Sequence, residues 1–192
     1  MALGATAAPG DVMRVLAHDI RQPLSTIESI AYYLTLILPQ DEKVHEQLDR
    51  IQQLVEQSNW MVTSGLLLSD TLSVPHESVD LRELMQHIDV AGFDVEICDT
   101  PHVHVDPPLL RAMIENLVTL FRQFPGRPSL RIRNEGEIDF CSSAIGHRSE
   151  SSFCPGSTLS IQGVRRVAES HGGSLHVSIH PETGIKLRVM LT

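Results

Sequence analysis

The chain has 192 residues, 42% of them hydrophobic and 20% charged, with a formal net charge of −9. That length suffices for one or two domains with a real core, and the negative field repels phosphate backbones, so no nucleic-acid partner is expected. Cys98, Cys141 and Cys154 have no CxxC spacing, which argues against a disulfide framework or a zinc ribbon and fits reduced thiols.

Residues 1–10 read as a flexible start with neither the basic nor the apolar region of a signal peptide. The longest apolar stretch, around Ile30 to Leu38, is too short to span a bilayer. A cytoplasmic protein without a membrane partner is expected. Two long helices follow. In the first, from about Asp11 to Leu38, Leu16, Ile20, Ile27, Ile30, Leu34 and Ile37 recur at helical steps, with Asp11 as the expected N-cap. Pro39 stops it. The second, from about Glu42 to Leu68, carries the seam Val44, Leu48, Ile51, Val55, Ser58 and Val62, widened by Leu54, Met61, Leu66 and Leu67. One antiparallel hairpin cannot cover so broad an apolar surface. Two hairpins packed as a four-helix bundle can, so a homodimer built on residues 11–72 is expected.

Leu72 to Ser78, with Pro75, reads as a linker. From residue 79 to 192 the periodicity changes. Val79 to Leu84 reads as a short strand entering a helix, and Phe93 to Ile97 as a half-buried strand. Asp106-Pro107-Pro108 opens a helix bearing Leu109, Leu110, Met113, Ile114, Leu117 and Leu120. Ser129 to Arg133 and Glu137 to Phe140 read as strands around Asn134-Glu135-Gly136, and Ser160 to Ser170 as a helix stopped by Gly172-Gly173. Leu175 to Ile179 and Ile185 to Leu191 close the chain around Glu182-Thr183-Gly184. This mixture predicts an α+β sandwich.

His18 stands two residues from both Leu16 and Ile20, roughly 200° around the helix from each. It therefore belongs to the polar stripe with Arg14, Arg21, Gln22 and Ser25. An imidazole is mostly neutral at pH 7 and can act as a nucleophile. Arg14 and Arg21 could offset the charge of an incoming phosphoryl group. His102-x-His104-x-Asp106 puts three potential metal ligands on one side of an extended segment, but a helix cap and surface exposure account for them without a metal.

The string His18-Asp19-Ile20-Arg21-Gln22-Pro23-Leu24 resembles the H-box of histidine kinases, the dimerisation and phosphoacceptor hairpin. The resemblance implies that His18 carries a phosphoryl group, that Asp19 orients or deprotonates the ring, that Gln22 assists hydrolysis of the partner's acyl phosphate, and that Pro23 bends the helix. It extends along the chain. Asp106 to Leu120 resembles the N-box helix, Gly156 to Gly173 the last glycine box and its helix, and residues 79–192 as a whole an ATPase domain of the histidine kinase (Bergerat) type.

That domain departs from the family pattern where ATP would bind. Asn116 fits the first N-box asparagine, but the second position, a Mg²⁺ ligand in kinases, is Leu120, which has no oxygen for a hard cation. The expected Asp-x-Gly-x-Gly is replaced by Cys141-Ser142-Ser143-Ala144-Ile145-Gly146, and Asp139 lies before the loop. In the later box Gly156 is followed by Thr158 and Ser160, whose side chains crowd the phosphate approach. The segment between is serine-rich at Ser149, Ser151 and Ser152. The resemblance thus implies a degenerate ATPase domain and a protein with no cofactor or metal of its own. It would relay phosphoryl groups between the receiver domains of response regulators, whose own Mg²⁺ serves the transfer. A non-enzymatic, pseudokinase-like dimer module and a diverged active kinase are the alternatives.

Overall fold

The computed structural model describes residues 9–39, 41–69, 76–98, 102–124, 126–133, 136–143, 155–180 and 184–191. The chain divides into two compact units, Met1–Asp70 and Thr71–Thr192.

The first unit is a helical hairpin of α1 (Pro9–Ile37) and α2 (Glu42–Ser69). α1 begins two residues before Asp11, which falls in the first turn rather than at the cap. Pro9 takes the start because its missing N–H and fixed φ suit the first helical position. At the other helix, Asp41 Oδ1 accepts from the backbone N–H groups of Lys43 and Val44, at 2.9 and 3.3 Å. Arg21 meets Thr63, and Met13 lies against Gly65; an early residue facing a late one makes the helices antiparallel.

α1 turns Ala17 and Ala31 inward, at 3% and 2% exposure, with Leu24 and Leu34 half-buried beside them. The stripe Leu16, Ile20, Ile27, Ile30 and Ile37 is not what packs on α2: it stays between 37% and 54% exposed. Small alanines allow close approach of the two backbones, while the branched side chains stand on an adjacent face. In α2 the expected seam divides, with Leu48 and Val55 buried but Val44 and Ile51 exposed. Trp60 is buried, as expected for a packing residue.

The second unit is a two-layer α/β arrangement. Its elements are β1 (Glu77–Asp80), α3 (Leu81–Met85), β2 (Asp94–Ile97), β3 (His102–Val105), α4 (Pro107–Arg122), β4 (Ser129–Ile132), β5 (Glu137–Ser142), α5 (Ser157–Ser170), β6 (Ser174–His180) and β7 (Gly184–Met190). β1 and β3 form an antiparallel pair; the main sheet runs β2-β4-β5-β7-β6, with β2 and β4 parallel and the other neighbours antiparallel. Asp106 caps α4 by accepting from the Leu109 N–H at 2.9 Å, and Pro107 and Pro108 occupy the first helical positions.

Alternation along each strand separates the two sheet faces. Leu130, Ile132, Ile138, Phe140, Ile185, Leu187 and Val189 are buried, as are Leu110, Met113, Ile114, Leu117 and Phe121 of α4 and Val164, Val167 and Ala168 of α5. Phe140 anchors this layer, its ring 5.4 Å from Phe121 and 6.3 Å from Phe93. α5 starts three residues earlier than its apolar periodicity suggests, so Ser157, Thr158 and Ser160 are all helical. Gly156, at φ 93°, supplies the left-handed turn before it. At the far end a Cβ on Gly173 would meet the Met190 carbonyl oxygen at 1.8 Å, so only glycine fits between α5 and β7. The linker positions Leu72–Pro75, the turn residues Asn134, Glu135, Glu182 and Thr183, Cys154, and Ser149, Ser151 and Ser152 lie outside the described residues.

Candidate functional site

His18, Asp19 and Gln22 come together on the exposed face of α1. The His18 side chain is 69% exposed, and its Nδ1 lies 3.1 Å from Asp19 Oδ1. A carboxylate accepts only, so in this pair Nδ1 carries the proton and Nε2 keeps its lone pair. The Gln22 amide nitrogen stands 3.5 Å from Nε2, on the side where that lone pair points. Pro23 has no N–H, so the Asp19 carbonyl lacks its usual helical donor one turn on. Beside His18 an open depression is lined by Arg14, Arg21, Gln22, Ser25, Thr26 and Leu66. Arg21 donates to Thr63 Oγ1 at 2.9 Å, an α2 contact that helical spacing within α1 gives no means of finding.

In the second unit, the two positions compared above with the N-box asparagines are both buried. Leu120 is fully buried among the core side chains of α4. Asn116 is also buried, and the Ser160 hydroxyl donates to its Oδ1. A side-chain oxygen already bonded to α5 and a leucine one turn on make no pair of ligands for Mg²⁺. These residues do not fit a magnesium–nucleotide group.

Asp139 sits in the middle of β5 with its side chain on the sheet face away from α4 and α5. Arg188 clasps it with both arms, Nε to Oδ1 at 2.9 Å and an Nη to Oδ2 at 3.2 Å, and Lys186 Nζ reaches Oδ2 at 2.8 Å. Burial alone would raise the carboxyl pKa, but the hydrogen bonds and charges of Arg188 and Lys186 outweigh it and hold Asp139 below the ordinary carboxylate range. The same contact raises Arg188 above its ordinary value. Asp139 is a sheet-face ion-pair centre.

The residue that does face the helices at the end of β5 is Ser142, which shares the inward parity of Ile138 and Phe140. It is buried, and its hydroxyl has no hydrogen-bond partner among the described residues. Strand parity alone could have found it.

His171 closes α5, with Nδ1 2.7 Å from the Val167 carbonyl and Nε2 accepting from the Asp106 N–H at 3.0 Å. Its ring stacks on His76 at 4.8 Å. His102 and His104 are exposed on β3 while Asp106 is spent on its cap, and among the described residues no group of three or more His, Cys, Asp or Glu could hold a metal.

No family model matches the chain. It is similar to the sensor histidine kinase ZraS of Klebsiella oxytoca, at 24% identity over 205 residues that cover 92% of this chain and 44% of that protein. The chain thus spans less than half the length of this curated relative. Among solved structures it is similar to the Acinetobacter baumannii histidine kinase AdeS, with a TM-score of 0.54 and 14% identity over 91% of this chain and 98% of that one. It is also similar to full-length ShkA in complex with AMPPNP, with a TM-score of 0.56 and 16% identity over 97% of this chain and 47% of that one.

The fold is that of a histidine kinase hairpin and ATPase domain. Among the described residues no helix is long and apolar enough to cross a membrane.

The sheet-face ion pair makes a pH prediction. A carboxyl whose folded pKa is depressed contributes its stability fully above the ordinary carboxylate value, about 4, and loses it as pH falls through the lower folded value. The stability difference between the wild-type chain and Asp139→Asn should be largest above about pH 5 and shrink steadily below about pH 4. Urea melts across that range check this, and a pH-independent difference would contradict it.

Proposed function

We propose that the chain is a two-component signalling protein that passes phosphoryl groups between the receiver domains of response regulators through His18, without phosphorylating itself from ATP. The observation that carries the reading is the exposed His18 imidazole, with Asp19 on Nδ1 and Gln22 beside Nε2. Nε2 attacks the phosphorus of a receiver's aspartyl phosphate. The acyl P–O bond breaks, the aspartate leaves with the electron pair, and an Nε2–P bond forms. The Nδ1 proton stays on the ring, where the Asp19 carboxylate stabilises the developing imidazolium. A second receiver's aspartate reverses the step. In this reading Gln22 orients a water for hydrolysis of the acyl phosphate.

Loss of ATP chemistry is supported by the burial of Leu120, the Ser160–Asn116 bond, and Ser142 in place of an acid at the inward end of β5. Homodimerisation is supported by the exposed stripe Leu16, Ile20, Ile27, Ile30 and Ile37. A run of large apolar side chains along a helix calls for a covering surface, and the same stripe of a second hairpin provides one. A cytoplasmic setting fits partners of this kind.

Incubation with phosphorylated receiver domains should move acid-labile label onto the wild-type chain. His18→Gln should abolish labelling while leaving helicity unchanged, and Asp19→Asn should slow it about 10- to 100-fold, as for an orienting group that is not the nucleophile. Transfer by His18→Gln at the wild-type rate would sink the relay and leave the non-enzymatic binding module in its place. Calorimetry with ATP and Mg²⁺ should give no heat of binding up to about millimolar ligand; micromolar affinity would mean a diverged kinase. Dilution should lower the melting temperature, because association adds to stability, and a fully helical monomer at micromolar concentration would count against the dimer.

A further inference from the structure

α1 carries two cationic side chains, Arg14 and Arg21, and both line the depression beside His18. They stand four residues before it and three after, so they share its face of the helix. Nothing in α1 explains why Arg21 should hold one direction there, since a free arginine samples many rotamers. The explanation is on α2. Thr63 Oγ1 donates its only hydrogen to the Asn59 carbonyl at 3.0 Å. Toward Arg21 the hydroxyl can therefore only accept, and it takes an N–H from the guanidinium at 2.9 Å. The hydroxyl is anchored by its own helix and presents a lone pair to the arginine. A guanidinium has five N–H donors, so one bond to Thr63 leaves others for a second acceptor.

Resting on the phosphoacceptor reading of His18, we propose that Thr63 is a positioning residue that holds Arg21 to receive the phosphoryl oxygens arriving at Nε2, with Arg14 as the second cation. An incoming phosphoryl group brings negatively charged oxygens into this depression. Planar guanidinium donors match those oxygens better than an ammonium does. Arg21 held in advance loses less side-chain freedom when the phosphoryl group arrives, and that saving reaches the transfer step. The hydrogen bond to Thr63 is broken or kept according to the reach of the other N–H groups; in either case its work is done before the phosphoryl group arrives.

Phosphoramidate tests this without a protein partner. Its P–N bond breaks, ammonia leaves with the electron pair, and the Nε2–P bond forms on His18. The label is located by mass spectrometry, with His18→Gln as the control. Thr63→Val keeps the side-chain shape and removes the acceptor, and should slow labelling at His18 roughly three- to tenfold, the range for one hydrogen bond. Thr63→Ser should restore the rate. Arg21→Gln should slow labelling at least about tenfold, and Thr63→Val added to it should change nothing further, because Thr63 acts only through Arg21. Rising salt should slow the wild-type chain more than Arg21→Gln. Wild-type rates in Thr63→Val, or additive losses in the double variant, would overturn the positioning role while leaving His18 as phosphoacceptor. Failure of the wild-type chain to label at His18 would overturn both.

Discussion

A helix of 3.6 residues per turn offers a limited circumference, and α1 divides it among three surfaces. One face, with Ala17 and Ala31, meets α2 closely. A second carries the branched residues from Leu16 to Ile37 and remains uncovered in the single chain. The third is polar and bears Arg14, His18, Arg21 and Gln22. With apolar side chains on the first two faces, His18 is exposed on the third. The same division explains why Leu16 and Ile20 flank His18 in sequence without covering it.

The polar face is more than the remainder. Asp19 Oδ1 stands beside Nδ1 of the His18 ring, and the Gln22 amide beside Nε2. These are neighbours along one helix, so their relation follows from helical geometry. Arg21 is different. Its direction depends on Thr63, a residue 42 positions away whose hydroxyl is oriented by its own helix. In the proposed role, the chemistry of the site therefore depends on the hairpin being folded, not merely on α1 being helical.

In the second unit the sheet-and-helix layer is held by apolar packing and by a few buried polar contacts. Leu120 adds to the apolar packing of α4, and the Ser160 hydroxyl donates to the buried Asn116 oxygen. A buried polar group left alone would be destabilising, by about 1–3 kcal/mol. Among the described residues, the buried Ser142 hydroxyl at the inward end of β5 has no hydrogen-bond partner. Asp139, one register position out of phase with it, belongs to the opposite face and to Arg188.

The sequence by itself determined the hairpin, the strand order of elements along the chain, the Asp106 cap and the placement of His18 on a polar stripe, because each rests on local periodicity or on a residue's own backbone preference. It also placed Asp139 inside a strand, which the β5 pairing matches. Local periodicity could not say which apolar stripe of α1 packs within the chain and which stays bare, since small alanines and large branched residues both satisfy a helical repeat. It missed the first three residues of α5, where Ser157 and Thr158 are helical although they break the apolar pattern. Tertiary structure alone decided the Ser160–Asn116 bond, the clasp of Arg188 on Asp139 and the Arg21–Thr63 contact. Each joins side chains more than 40 residues apart, at distances set by the packing of one element on another, and no one-dimensional repeat encodes such a meeting.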